Sequence, residues 1–253
     1  MLGSGSSGNA TLVESPRGRI LIDCGFSARE MARRLERAGC EPARVDGVMV
    51  THEHSDHAAG AAAFSSRFGA PIYTSPATAR AAGLRTGKCA GLIPVVPGEG
   101  FTVGEIEVRP FSVPHDAADN IGFVLGHEES RMGYVTDLGH VSRVVVEHLR
   151  RCDLLVAEAN HDERMLQEGP YPWHLKQRIA SRHGHLSNGQ MAGLMAEVAS
   201  DRTRHVFLAH LSRTNNSADL AAQACRDALR RAGREGVAIH VAAQTQVSQE
   251  ALA

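Results

Sequence analysis

Apolar and polar positions first alternate along this chain at the period of a strand. Ala10–Glu14 and Arg19–Asp23 flank the turn Ser15-Pro16-Arg17-Gly18, which predicts a β-hairpin. A helical period follows over Ala28–Ala38, with Ser27 as its N-cap and Gly39 as its stop. Val45–Val50 reads as a buried strand, Ala58–Phe68 as a helix, Pro71–Tyr73 as a short strand, and Ser75-Pro76 opens another helix. Strand signals between Val95 and Arg109 are broken by Pro97-Gly98 and Gly104. Ile121–Gly126 and Arg131–Thr136 pair as a second hairpin, and Val141–Arg150 reads as a helix. Leu154–Glu158, His205–Ala209 and Val237–Ala243 are then strands, alternating with helices near Asp162–Gln167, Pro172–Arg182, Ser187–Ala199 and Ala218–Ala232. Hairpins early in each half and alternation later predict an α/β protein, a four-layer αββα sandwich of two mixed β-sheets, as one domain over residues 1–253.

Composition narrows this picture without redirecting it. A chain of 253 residues that is 43% apolar and 22% charged is an ordinary globular protein with room for a large core. No apolar run approaches the roughly 20 residues that cross a bilayer, so no membrane partner is expected. Met1–Asn9 lacks the charged and apolar regions of a signal peptide, and by composition alone resembles an appended Gly/Ser tag. The five cysteines are scattered with no C-x-x-C pair, which argues against a disulfide framework or a thiolate zinc site and makes a cytoplasmic location the expectation. The net charge of −1 hides an asymmetry. No acidic residue lies between Glu168 and Glu197, whereas His174, Lys176, Arg178, Arg182, His183 and His185 do. Such a stretch is either a solvated helix face or a positive field for an anionic substrate, and its position relative to the chemistry decides which.

The chemistry is concentrated in Thr51-His52-Glu53-His54-Ser55-Asp56-His57, directly after the apolar run Val48-Met49-Val50. His52 and His54 are one residue apart, so an extended loop can aim both imidazoles at one ion. Asp56 and His57 fall beyond the turn and can reach a second. Imidazole and carboxylate suit zinc, iron or manganese, and two such ions can share a hydroxide. This spacing resembles the H-x-H-x-D-H signature of the metallo-β-lactamase superfamily. His54 stands where the flavodiiron members have a carboxylate, which favours hydrolysis over redox chemistry.

The superfamily fold places further ligands at strand ends, and His115, Asp137 and His210 each follow an apolar strand. The resemblance therefore implies two divalent metal ions, zinc or manganese. One would be held by His52, His54, His115 and Asp137, the other by Asp56, His57, His210 and the shared Asp137. Asp23 resembles the superfamily's orienting aspartate, and Asp56 and His185 are the catalytic candidates. His185 would donate a proton just before a helix N-terminus, an end that also attracts phosphate.

A narrower resemblance rests on Ser4–Asn9 (SGSSGN), Thr51–His57, His115–Ala117, Thr136–Gly139, Asn160–Asp162, Gly169–Pro172, Leu175–Ser181, Gly184–Asn188 and His210–Asn216. Together these resemble the YycJ/WalJ/VicX family, which implies a cytoplasmic metallohydrolase acting as a 5′-to-3′ DNA exonuclease, linked in some members to DNA repair. By that likeness Ser6, Ser7 and Asn9 belong to the active-site rim rather than to a tag. Lys176, Arg178, Ser187, Asn188 and Asn215 are the other candidate contacts to DNA. Tyr171 and Trp173 either stack on a terminal base or pack their loop against the domain. Only 72 residues separate Asp137 from His210, too few for the inserted domain of β-CASP nucleases. Two alternatives stay open: a small-molecule (cyclic) phosphodiesterase of the same fold, and a non-catalytic metal-stabilised signalling module.

Overall fold

The first hairpin forms where the alternation places it. In the computed structural model, which describes residues 1–248 and 250–252, β1 (Thr11–Ser15) and β2 (Gly18–Ile22) pair antiparallel with Thr11 opposite Ile22. Ser27 then accepts the Glu30 N–H and opens α1 (Ala28–Arg37). The chain continues through β3 (Gly47–Met49), α2 (Ser55–Ala58), α3 (Ala61–Phe68), β4 (Ile72–Thr74), α4 (Pro76–Ala81) and β5 (Leu92–Pro94). Strands β2 to β5 are parallel neighbours, so the sheet runs β1-β2-β3-β4-β5 and is mixed. With β6 (Phe101–Val103) and all but the last two residues of its antiparallel partner β7 (Ile106–Ser112), these elements belong to a compact unit made of Met1–Pro110, Ala117–Ile121 and Ala243–Glu250. Its core is built from Leu21, Met31, Leu35, Val48, Phe64 and Ile72.

The second unit comprises Phe111–Asp116 and Gly122–Ala242. Its strands β8 (Ile121–His127) and β9 (Ser130–Val135) form the second hairpin, with Phe123 opposite Tyr134. Next come α5 (Arg143–Leu149), β10 (Leu154–Glu158), α6 (Glu163–Glu168), α7 (Trp173–Ile179), α8 (Asn188–Val198), β11 (His205–Ala209), α9 (Ala218–Arg231) and β12 (Ala238–Val241). Strands β9 to β12 are parallel, with β10 between β9 and β11, and β12 beyond β11. Val135, Leu155, Ala157, Val206 and Leu208 from the sheet meet Leu149, Leu194, Met195 and Leu229 from the helices in one apolar cluster. Parallel strands covered this way read as unbroken apolar runs, which is why β10 and β11 were visible in the sequence.

Two departures have local causes. The helix expected over Ala58–Phe68 is interrupted at Gly60, whose N–H donates to the Cys24 carbonyl. A Cβ at Gly60 would collide with the Phe26 carbonyl, so the break lets the chain pass close to the Cys24–Phe26 backbone. Strand β5 was not expected, because three residues ending in Pro94 carry too little pattern to register.

The strand ends position the chemistry. Asp23 after β2, Asp137 after β9 and His210 after β11 all adopt left-handed backbone, with φ of 61°, 54° and 55°. Non-glycine residues there cost about 1–3 kcal/mol and persist where their surroundings hold them. Between Asp23 and the histidine loop the backbones touch: Asn9 donates its N–H to the Asp56 carbonyl (2.7 Å) and Gly25 donates to the Asn9 carbonyl (3.1 Å). A Cβ on Gly25 would overlap that same Asp56 carbonyl. Gly25→Ala is therefore expected to lower stability by about 1–3 kcal/mol, read as a lower denaturant midpoint. An unchanged midpoint would show that these strands of backbone separate freely.

Candidate functional site

In the first unit a buried carboxylate organises the histidine loop. Asp23 is fully buried, and its Oδ1 accepts both the Thr51 N–H and the Thr51 hydroxyl at 2.9 Å. Its Oδ2 lies 2.8 Å from Nδ1 of His57. A carboxylate only accepts, so neutral His57 carries its proton on Nδ1 and presents Nε2 as a lone pair. Nδ1 of His52 lies 3.0 Å from the Thr51 hydroxyl oxygen. That hydroxyl has spent its hydrogen on Asp23, so His52 is the donor here too. The His52 ring stands 4.6 Å from that of His54 and 4.2 Å from that of His57, centroid to centroid. Asn9 completes the group, with Nδ2 3.0 Å from His57 Nε2 and 3.2 Å from Asp56 Oδ2.

In the second unit the organiser is Glu158, the last residue of β10 and fully buried. Its Oε1 lies 2.8 Å from Nδ1 of His185 and 2.9 Å from Nδ1 of His210. Its Oε2 accepts the backbone N–H groups of Leu138 (2.9 Å) and Leu186 (3.0 Å), the residues directly after Asp137 and His185. Burial alone would raise the Glu158 pKa, but the charge of His185 and the bonds from both histidines prevail and hold it down to about 2. His185 moves the other way: burial pushes it down, and the neighbouring Glu158 carboxylate more than restores it. Asp137 brings Oδ1 to within 3.4 Å of His210, 3.5 Å of His185 and 3.8 Å of His115. His115 is buried, donates Nδ1–H to the Gly184 carbonyl at 3.0 Å, and is pushed to lower pKa by that burial.

One ligand atom each of Asp137, Glu158, His185 and His210 fall within 4.8 Å of one another. Glu158 Oε1 is spent on the Nδ1 atoms of His185 and His210, so within this group Asp137 and the Nε2 side of His210 are the donors that fit a divalent ion such as zinc or manganese. Sequence reasoning missed Glu158. It looked like the polar end of an apolar strand, and its partners lie 27 and 52 residues further along.

The candidate substrate contacts divide by burial. Ser6 and Ser7 are exposed, and the Ser7 N–H is held by Gln244. Lys176 donates to the Gln167 carbonyl, and exposed Arg178 donates Nε–H to Asp116 Oδ2 at 2.6 Å, next to His115. Asn9, Ser187, Asn188 and Asn215 are all buried, and direct contact with an external ligand does not fit that burial. Ser187 caps α8 through the Gln190 N–H while Gln190 answers the Ser187 N–H, and its own hydroxyl donates to Glu163. Asn188 and Asn216 exchange side-chain amide bonds. Trp173 is 69% exposed, and helix α7 (Trp173–Ile179) has no buried residue.

Four likenesses accompany this geometry. The family described as beta-lactamase superfamily domain matches residues 18–211. The chain is 35% identical to exodeoxyribonuclease YycJ of Bacillus anthracis over 239 residues, 92% of this chain and 89% of that protein. It is 34% identical to exodeoxyribonuclease WalJ of Streptococcus pneumoniae over 87% of this chain and 84% of the relative. Among solved structures, the metallo-β-lactamase fold protein YhfI of Bacillus subtilis superposes with a TM-score of 0.75 at 15% identity, covering 98% of this chain and 97% of that one. At that identity the likeness establishes the fold, and it is the αββα sandwich of mixed sheets expected from the element order.

Replacing Asp23 with Asn keeps its shape but removes the obligate acceptor that fixes His57. Asp23→Asn is expected to weaken divalent-metal affinity about 10- to 100-fold by calorimetric titration. Unchanged affinity would show that His57 needs no such partner.

Proposed function

The chain belongs to the metallo-β-lactamase superfamily, whose fold implies divalent metal, and on that premise we propose that it is an exodeoxyribonuclease acting from the 5′ end of DNA. The observation that carries this reading is the likeness, over nearly the whole chain, to relatives called exodeoxyribonucleases.

The metal ligands of this reading are His52, His54, Asp56, His57, His115, Asp137 and His210, holding two ions of zinc or manganese. Ions so held would supply Lewis acidity toward a phosphoryl oxygen and would lower the pKa of water. The chain's own groups do the rest. His185 has Nδ1 committed to Glu158, so Nε2 is the atom that passes a proton to the leaving oxygen. Glu158 keeps that ring in one tautomer and one orientation, and the charge beside it supports the protonated form. Asp56 accepts the proton of the attacking water. Arg178 and Lys176, with Ser6 and Ser7, contact phosphates away from the scissile bond and set the register of the strand without reading sequence. Asn9, Ser187 and Asn188 act one step back, bracing the loops that carry the reacting groups, and Asn215 is buried beside them.

Removing Asp137, the shared carboxylate, is expected to abolish both metal binding and turnover. Full activity in Asp137→Ala would contradict the bridging assignment. His185→Ala is expected to lower turnover roughly 10²- to 10⁴-fold with metal content intact. Loss of metal instead would make His185 a ligand. The activity itself is tested with an end-labelled, 5′-phosphorylated duplex. Release of label from the 5′ end, falling steeply as salt rises, is the expected result. Hydrolysis of bis-p-nitrophenyl phosphate with no attack on DNA would overturn it in favour of a small-molecule phosphodiesterase.

A further inference from the structure

Helix α7 has no buried residue, yet it begins with the one tryptophan of the chain, 69% exposed. Packing does not explain an indole in that position. The root of the helix, by contrast, is tied into the second unit's chemistry. The Ile179 carbonyl accepts the N–H of His185 (2.9 Å), the Arg182 carbonyl lies 2.9 Å from Nδ1 of His140, and the Gly184 carbonyl holds His115. Gly184 has no room for a Cβ, which would run into the carbonyls of Arg178 and Ile179. Arg178 adds an ion pair to Asp116, and Lys176 ties the helix to the end of α6 through Gln167. Helix α7 is thus an arm that is rigid at the His185 end and bare at the Trp173 end.

From these observations we propose that Trp173 is a stacking platform for a nucleobase two or three nucleotides from the scissile phosphate. The proposal rests on the nuclease reading and adds a specificity residue to it. Ile179 lies six positions after Trp173, a rise of about 9 Å along a helix. Successive nucleotides of a stacked strand are about 3.4 Å apart, so that rise spans two to three of them. The charge around the indole selects the occupant. Residues 169–196 contain no acidic side chain and carry Lys176, Arg178, Arg182, His174 and His183. A nucleic acid offers that surface both a phosphate chain and flat π-faces, and stacking tolerates any base because every base has such a face.

The single tryptophan makes the test direct. The intact, metal-loaded protein is titrated with a cleavage-resistant phosphorothioate oligonucleotide while indole fluorescence is followed. Saturable quenching is expected, and it is lost when an abasic nucleotide occupies the second or third position from the end but retained when one occupies the fifth. In steady-state kinetics on the normal oligonucleotide, Trp173→Ala raises KM roughly 5- to 150-fold with little change in kcat, and Trp173→Phe recovers part of the loss. Saturable binding without quenching, or an unchanged KM in Trp173→Ala, overturns the platform while leaving the nuclease reading intact. Wild-type protein that hydrolyses bis-p-nitrophenyl phosphate yet neither binds nor cuts DNA overturns both.

Discussion

Five imidazoles of this protein are anchored through the same ring nitrogen. Nδ1 of His52 is held by Thr51, of His57 by Asp23, of His115 by the Gly184 carbonyl, and of His185 and His210 by Glu158. Each partner is an acceptor, which fixes the tautomer and makes Nε2 the nitrogen turned toward the chemistry. The rest of the structure serves that constraint. Two fully buried carboxylates are costly to desolvate, and each offsets the cost with several donors. Asp23 takes two bonds from Thr51 besides His57, and Glu158 takes two backbone N–H groups besides its two histidines. Losing either carboxylate would leave buried donors unpaired as well as rings unoriented.

The left-handed residues belong to the same arrangement. Asp23, Asp137 and His210 each turn the chain sharply after a parallel or hairpin strand, so a functional side chain sits at the strand's end rather than on one of its faces. What holds these turns is nearby: Leu138, next to Asp137, donates to Glu158, and the His210 carbonyl accepts from Asn160. Backbone strain and buried charge are thus satisfied by the same few bonds, which explains why polar motifs cluster at these points.

Much of this was legible in the chain. The hairpins, the buried strands β10 and β11, and the capped helices follow from period and cap chemistry, and the crowding of His52, His54, Asp56 and His57 announced itself within one loop. Asp23 was legible as the end of a strand, and its orienting role only through its resemblance to the superfamily's aspartate. Glu158 was not legible, because a carboxylate ending an apolar strand is ordinary until the fold brings His185 and His210 to it. The asparagines misled for the opposite reason. A motif rich in Asn and Ser suggests an exposed recognition loop, whereas Asn9, Asn188 and Asn215 are buried, Asn9 bonded to the Gly5 backbone and Asn188 to Asn216. Spacing reveals which groups lie close along the chain, and burial decides whether they face inward or outward.

The central proposal is that the oriented rings of His52, His57, His115 and His210 would hold divalent ions through Nε2, with Asp137 shared between two sites. Anomalous diffraction from crystals soaked in manganese or zinc tests it most directly. Two peaks are predicted, both within bonding distance of Asp137, one also bonded to His52, His54 and His115, the other to Asp56, His57 and His210. A single peak, or ions bound through Nδ1 or away from these side chains, would contradict it.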